Sequence, residues 1–380
     1  MTGVDYGRFP SPCYILDEKR LRANLALIDR VQKEAGVEII LAFKGFAMWK
    51  AFPIVREYLP GATASSLHEA RLCFEEMGVP AHTYSVAYIP EEFEEILGYS
   101  SHLTFNSLSQ YRRYRDQVLA HGRKISMGLR VNPEYSDVTT DLYNPASPHS
   151  RLGVTAEHLA DGLPEDIEGL HFHTLCESTS FALEKVLEQF EARFGHLLPQ
   201  LKWVNMGGGH LMTRQGYDVD HLVGLLKDFR EKHEVHVILE PGSAIAWTTG
   251  ELKSTVLDIV DNNGVKTALL DVSFTAHMPD TLEMPYRPRV LGAGEPGTGL
   301  HNYRLGGTTC LAGDFLSEYG FAEPLEVGDS VLLSDMIHYT MVKTTTFNGV
   351  RHPAIGLWTA HGEAVVFREF DYLDFKNRLS

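Results

Sequence analysis

The sequence lacks most of what would place it outside an ordinary aqueous fold. Its four cysteines, Cys13, Cys73, Cys176 and Cys310, are scattered over 380 residues with no CxxC spacing. That excludes a disulfide framework and a zinc finger. No apolar run is long enough to span a bilayer, and Met1–Pro12 shows no basic segment followed by an apolar one. Neither a membrane span nor a signal peptide is expected, and the expected compartment is the cytoplasm. Positive charge is scarce: 34 Lys and Arg face 50 Asp and Glu, a net charge of -16. Nucleic acid and anionic membrane are poor partners for such a surface. A polycationic substrate would be attracted to it, although solubility alone accounts for the same excess. No low-complexity segment or short repeat family appears.

What is present is apolar patterning. Hydrophobic residues make up 44% of a chain too long for one ordinary core, which predicts a large domain and a smaller one. An extended piece around Pro12–Leu16 leads to a helix opened by Asp17, with Leu21, Leu25, Ile28 and Val31 as its apolar stripe and Gly36 as its stop. Eight strand-like runs follow: Glu38–Lys44, Ala62–Ser66, His82–Val86, His102–Asn106, Ile125–Val131, Gly169–Thr174, Trp203–Gly207 and Val235–Glu240. Helical patterns at His68–Met77, Pro90–Leu97, Leu108–Leu119, Phe181–Leu197 and Val219–Lys232 alternate with them. Alternation predicts a parallel sheet, and eight units predict a closed (β/α)8 barrel of the α/β class. The segment Pro133–Arg151, rich in Pro, Ser and Asn, reads as an excursion loop. After Gly242 the alternation stops. Glu251–Asp261, Val265–Val272, Ser330–Leu333 and Ala354–Trp358 read as strands of a C-terminal all-β domain, the first pair joined through Asn262-Asn263-Gly264. The expected division is a barrel over residues 17–249, with residues 1–16 and 250–380 forming the β domain.

The chemically unusual residues of the barrel segment fall at strand C-terminal ends: Lys44, Ser65 and Ser66, Arg130, His173, Gly207-Gly208-Gly209, and Glu240-Pro241-Gly242. In a β/α barrel these ends converge on the face where active sites form. A lysine ending an apolar strand is desolvated, and its lowered pKa frees the amine to attack an aldehyde; a strand-end lysine snorkelling to water is the plainer account. The Gly207–Gly209 run lets backbone amides approach a phosphate, with Gly242-Ser243 supplying more donors. It does not read GxGxxG, and a tight turn would look the same. Glu240 needs a cationic partner, either a protonated pyridine nitrogen or Arg130. His171-Phe172-His173 with Cys176 admits a metal reading, but no ligand spacing supports one, and no metal is expected.

Together these residues resemble the alanine-racemase-like, fold-type III pyridoxal-phosphate enzymes. Gly307-Thr308-Thr309-Cys310-Leu311-Ala312-Gly313-Asp314 resembles the cysteine motif of the ornithine and diaminopimelate decarboxylases in that family, and Asp335-Met336-Ile337-His338-Tyr339-Thr340 and Phe347-Asn348-Gly349 resemble their C-terminal motifs. The motif order matches over nearly the whole chain. His171–Glu177 and Ala42-Phe43-Lys44 look most like the branch that decarboxylates carboxynorspermidine or carboxyspermidine. Two departures, Thr63 where ornithine decarboxylases carry an aspartate and Gly307 where their cysteine segment has proline, argue against ornithine.

The resemblance implies pyridoxal 5'-phosphate as cofactor. Lys44 would hold it, His173 would stack on its ring, and Glu240 would keep its ring nitrogen protonated. Gly207, Gly208, Gly209, Gly242 and Ser243, with Tyr339, would take its phosphate, and Arg130 joins the cofactor-binding set. Cys310 would reach in from a second subunit of a homodimer and reprotonate the carbanion, unless it is a buried small hydrophobe. Asp314, Glu177, Asp271 and Arg287 would meet the substrate. A carboxylate at the ring nitrogen suits decarboxylation, whereas alanine racemases place an arginine there. Diaminopimelate is the alternative substrate, with Arg287 as clamp for its second carboxylate; a non-catalytic carrier of the cofactor is the remaining alternative.

Overall fold

The computed structural model describes residues 3–138, 140–147, 149–283 and 285–380. Thr139 and Pro148 of the expected excursion loop lie outside the described residues, as do Met1 and Thr2 of the N-terminal segment. The chain divides into two compact units, Asn24–Ile245 and Met1–Ala23 with Ala246–Ser380. Among the described residues no helix is long and apolar enough to cross a membrane.

The first unit is a parallel barrel. The run expected at Glu38–Lys44 splits into Glu38–Ile39 and Leu41–Ala42, and these two pieces stand at opposite ends of the strand order. Between them come, in sequence order, Ala62–Ala64, Ala81–Tyr84, Ser100–Phe105, Ser126–Arg130, Ile167–His171, Trp203–Asn205 and His236–Leu239. Every neighbouring pair is parallel. The split has a simple cause. Around Ile40 the chain passes from one neighbour to the other: Ile40 N donates to Leu239 O at 3.0 Å and Leu41 N to Gly61 O at 3.0 Å, which closes the cylinder. Trp203 fills the interior. A Cβ built on Gly128 or Gly169 would lie 2.3 or 2.0 Å from its ring, so two neighbouring strands carry glycine to admit one indole.

The helices follow the apolar stripes. Asp17 Oδ1 accepts from Lys19 N at 2.9 Å and Arg20 N at 3.2 Å, Leu21, Leu25, Ile28 and Val31 are fully buried, and Gly36 ends the helix Glu18–Ala35 at a φ of 66°. The later crossover helices are Leu67–Leu72 with a π-turn Cys73–Met77, Pro90–Tyr99, Leu108–Ala120, Ser180–Phe194 and Val219–His233.

The second unit is a mixed sheet around the long strand Gly250–Asn262. Its last residues turn through Asn263 and Gly264, both at positive φ, into Val265–Leu270, and its first residues pair with Cys13–Asp17 and Ser330–Ser334. Ala354–Trp358 runs parallel to Cys13–Asp17. The longer strands that escaped the sequence reading are His301–Gly306, Phe315–Phe321 and the edge strand Ala364–Arg368. They carry Gly, Asn, Glu and Arg among their apolar residues, which blurs the period of two.

At the strand starts of the barrel, opposite the face of interest, two imidazoles pack against each other: His82 and His102, ring centroids 3.8 Å apart and planes tilted by 38°. Glu38 lies 3.9 Å from His82 and 3.3 Å from His236. Burial, reinforced by His82, pushes the His102 ring down to about 3. The unfolded ring titrates near 6.5, so the depressed folded value gives stability that is present above pH 6.5 and lost as pH falls toward 3. At pH 5 the loss should reach about 2 kcal/mol from this ring. Denaturant midpoints of the wild type at pH 7.5 and 5.0 should therefore differ more than those of His102→Gln; equal differences would contradict the assignment.

Candidate active site

Lys44 stands two residues beyond Leu41–Ala42, in a turn where Gly45 N and Phe46 N both donate to Ala42 O, at 2.9 and 3.2 Å. Ala42 N in turn donates to Pro241 O at 3.2 Å, so the loops after the first and last strands abut. Gly45 makes that possible: a Cβ there would lie 2.6 Å from the Gly242 Cα. His173 lies two residues past the strand Ile167–His171. Its Nδ1 accepts from Gly208 N at 2.9 Å, and its Nε2 lies 3.3 Å from Lys44 Nζ.

This geometry decides protonation. An Nδ1 that accepts a backbone N–H is unprotonated, so the neutral ring carries its proton on Nε2. That N–H points at Lys44, and only an uncharged amine can accept it. The electrostatics agree. The surrounding protein, then the Arg130 guanidinium, lowers the Lys44 pKa against the pull of Glu240 and Glu69. Burial, with Lys44 and Arg130 adding to it, pushes His173 well below the ordinary histidine range.

Glu240 follows His236–Leu239, and its amide donates to Gly207 O at 2.7 Å. Burial alone would raise its carboxyl. The His171 contact, then the Asn205 hydrogen bond, outweigh burial and hold it at about 2, an anion at any working pH. Asn205 Nδ2 donates to Glu240 Oε1 at 2.6 Å, and Asn205 Oδ1 accepts from Gly207 N at 2.9 Å. Arg130, considered above as a partner for Glu240, turns elsewhere: its Nη2 donates to His173 O at 3.2 Å, and its guanidinium lies over the Tyr84 ring at 4.8 Å. The amides of Gly209 and Ser243 donate to no acceptor among the described residues.

The barrel unit thus brings together Lys44, Arg130, His173, Gly207, Gly208, Gly209, Glu240, Gly242 and Ser243. Cys176 and Glu177 are exposed just beyond His173, Glu177 at a φ of 51°. Among the described residues no group of three His, Cys, Asp or Glu side chains is arranged to hold a metal ion. Asn205, Gly45 and Glu69 were missed. Glu69 caps its own helix start, its Oε2 accepting from Ser65 N at 2.6 Å, and its charge acts on Lys44. The signal available for Asn205 was a lone amide in an otherwise apolar strand, two residues before the glycine run.

The remaining expected residues belong to the second unit. Cys310 is exposed, and its amide donates to Asn348 Oδ1 at 2.9 Å, which explains the Phe347-Asn348-Gly349 motif. Asp314 is buried. Its Oδ1 accepts from Phe274 N at 2.7 Å and Thr275 N at 3.1 Å, and its Oδ2 from Thr309 N at 3.1 Å and Thr309 Oγ1 at 2.6 Å. The four contacts tie the cysteine loop to Phe274 and Thr275 through this carboxylate, the residue expected above to meet the substrate. Arg287 donates to Gly294 O at 3.1 Å and Glu318 O at 2.7 Å, pairs with Glu295, and stacks 4.3 Å from the Tyr319 centroid. Asp271 Oδ1 accepts from Thr255 N at 2.8 Å. Tyr339 sits at a φ of 38° beside the buried His338.

Comparison with known proteins gives one consistent answer. Residues 13–337 match the family model described as pyridoxal-dependent decarboxylase, C-terminal sheet domain. A carboxyaminopropylagmatine decarboxylase of Synechocystis sp. is 54% identical over 371 residues, covering 97% of this chain and 95% of that protein. A carboxynorspermidine/carboxyspermidine decarboxylase of Campylobacter jejuni is 44% identical over 384 residues, covering 98% and 99%. The crystal structure of carboxynorspermidine decarboxylase from the same species, complexed with norspermidine, superposes with a TM-score of 0.91 at 43% identity, covering 97% of this chain and 100% of that one.

The glycine turn yields a test. A Cβ on Gly208 would lie 2.4 Å from the Glu240 carbonyl oxygen, backbone that cannot step aside. Gly208→Ala should cost about 1–3 kcal/mol, as overpacking does, and should separate His173 Nδ1 from its donor. Thermal melting checks the first effect, and the His173 tautomer read by nitrogen NMR checks the second.

Proposed function

Because the chain belongs to the pyridoxal-dependent decarboxylases, we propose that it removes the carboxylate of a carboxylated polyamine, carboxynorspermidine or carboxyspermidine, releasing norspermidine or spermidine. The observation that carries the reading is Glu240, an anion at the barrel mouth that is fixed by Asn205 and free of Arg130. Pyridoxal phosphate is the cofactor of this family, and the residues present fit it. An uncharged amine, a carboxylate held at about 2 and backbone donors without internal acceptors are the three groups such a molecule needs.

When bound, the cofactor supplies an electron sink for the pair left behind by carbon dioxide. Lys44 would hold it through its amine. His173 would lie against its ring, kept neutral and oriented by Gly208. Glu240 would keep the ring nitrogen protonated. Gly209 and Ser243 would bind the phosphate with backbone N–H groups; Gly207 and Gly208, expected to do the same, give their amides to Asn205 and His173 and shape the turn instead, with Gly242, Arg130 and Tyr339 completing the cofactor set. Cys310 would return a proton to the substrate carbon, working in a homodimer where each thiol serves the Lys44 of the partner subunit. Residues 17–249 are assigned to the cofactor-binding domain, residues 1–16 and 250–380 to the β domain, and the compartment to the cytoplasm. Glu177 and Asp271 remain the assigned acceptors for the cationic tail; Asp314 acts by holding the Cys310 loop.

A second reading changes only the tail. The 54% identical relative is called a carboxyaminopropylagmatine decarboxylase, which favours a tail ending in a guanidinium. Diaminopimelate loses ground on geometry: Arg287, its expected clamp, is already engaged by two carbonyls, Glu295 and Tyr319.

Purified protein loaded with pyridoxal phosphate should release carbon dioxide from carboxynorspermidine, carboxyspermidine or carboxyaminopropylagmatine with kcat/KM well above that on diaminopimelate, ornithine or arginine. Preference for diaminopimelate would overturn the reading. Lys44→Ala should give no borohydride-reducible adduct, and Cys310→Ala should lower kcat by roughly 10²–10⁴. Mixing these two inactive variants should recover up to about a quarter of wild-type activity if sites are shared across a symmetric dimer; no recovery would remove the shared site.

A further inference from the structure

The chemistry above leaves several buried polar side chains of the barrel without a task, and His171 is the one beside Glu240. His171 ends the strand Ile167–His171, is 3% exposed, and has no hydrogen-bond partner on either ring nitrogen. A buried polar group left unpaired costs about 1–3 kcal/mol, so a ring in this state is waiting for an acceptor. Its register places it level with Arg130 on one side and Asn205 on the other, and residues level with one another on parallel strands face the same way. Tyr84 covers one flank, ring centroids 5.4 Å apart. The nearest acceptor is Glu240, whose Oε2 lies 3.6 Å from His171 Nε2, while its Oε1 already takes the Asn205 amide at 2.6 Å. A separation of 3.6 Å is not a hydrogen bond. A small rotation of the carboxylate about its last torsion closes the gap, and torsions of that kind are soft.

We propose that His171 is a positioning residue for Glu240: it donates Nε2–H to Oε2, so that His171 and Asn205 clamp the two carboxylate oxygens and hold the anion flat and aimed at the cofactor's ring nitrogen. Each oxygen keeps a lone pair for that nitrogen. The inference rests on the cofactor reading given above. The charges around the ring suit a neutral donor. Burial lowers the His171 pKa, and Arg130 and Lys44 oppose its protonation more weakly, against the pull of Glu240. A neutral imidazole steadies the carboxylate without cancelling its charge. An imidazolium in the same place would compete with the protonated ring nitrogen for the one anion available.

The test separates a positioning role from mere filling of space. His171→Phe keeps the ring and removes the donor; His171→Gln keeps a donor on a different side chain. In His171→Phe, kcat on the preferred polyamine substrate should fall roughly tenfold to a hundredfold, the range seen when a supporting hydrogen bond to a site ligand is lost, with KM changed little. The cofactor should still be trapped on Lys44 by borohydride, but its dissociation constant from the apoprotein should rise roughly tenfold. Its absorption spectrum, expected to stay constant from pH 6 to 9 in the wild type, should become pH-dependent in that range. His171→Gln should recover most of the loss in all three. If His171→Phe does not fold, His171→Met against His171→Gln makes the same comparison at similar volume. Wild-type kcat, affinity and spectrum in the variant without a donor would overturn the inference. A wild type that forms no adduct on Lys44 would instead overturn the cofactor reading, so the two failures are distinguishable.

Discussion

One amide side chain carries the barrel mouth. Asn205 gives its N–H to Glu240 at 2.6 Å and takes the Gly207 N–H at 2.9 Å. The carboxylate and the glycine turn are therefore one object. The next amide of the turn, Gly208, orients His173, and His173 faces Lys44 across 3.3 Å. A continuous path of polar contacts runs from an anion on the last strand, through one side chain and one turn, to the amine after the first. The path works only in a single protonation state: carboxylate ionised, imidazole with its proton on Nε2, amine neutral. Bare burial would undo the first of these. The His171 contact and the Asn205 donor together outweigh it.

The barrel was legible because its signals are periodic and local. Alternation of apolar runs with helical stripes, and Asp17 and Gly36 as boundaries, are properties of short windows. The gathering of Lys44, Arg130, His173, the glycines and Glu240 was legible because a barrel sends all strand ends to one face. What could not be read was the division of labour inside that face. Arg130 and Glu240 are opposite charges on one rim, yet the guanidinium goes to a carbonyl and a tyrosine ring. Asn205 and His171 look like interior filler in sequence, since nothing in a window of residues says which polar atom a strand two positions away supplies. The second unit was harder still. Phe315–Phe321 and Ala364–Arg368 expose part of their apolar face, and long pairings such as Cys13–Asp17 with Ala354–Trp358 leave no local trace.

Asp314 and Arg287 show a related limit. A carboxylate in a cysteine motif invites a role in substrate contact. Four hydrogen bonds to Asp314 from Phe274, Thr275 and Thr309 instead make it the hub of the loop that presents Cys310, with Asn348 fixing the amide of Cys310 itself. An exposed thiol on an otherwise mobile turn would be a poor proton donor, because donation requires a held geometry. Building the loop from charge-assisted bonds to one buried carboxylate leaves the thiol in solvent while its backbone is pinned.

The same economy of charge governs what the barrel mouth will accept. With Lys44 and His173 both pushed toward neutrality, the charges left around the amine are Arg130 against Glu240 and Glu69, and Arg130 is covered by a carbonyl and an aromatic face. A mouth built with a charged lysine and a charged histidine would repel a chain of ammonium groups by several unfavourable pairs at once. Here the desolvation that lowers the Lys44 pKa also weakens the positive charge that would repel a cationic tail. One physical cause, the desolvation of Lys44 beside Arg130, therefore acts in favour of both the chemistry proposed at the amine and the tolerance proposed for a cationic tail, and the net charge of -16 over the whole chain acts in the same direction at longer range.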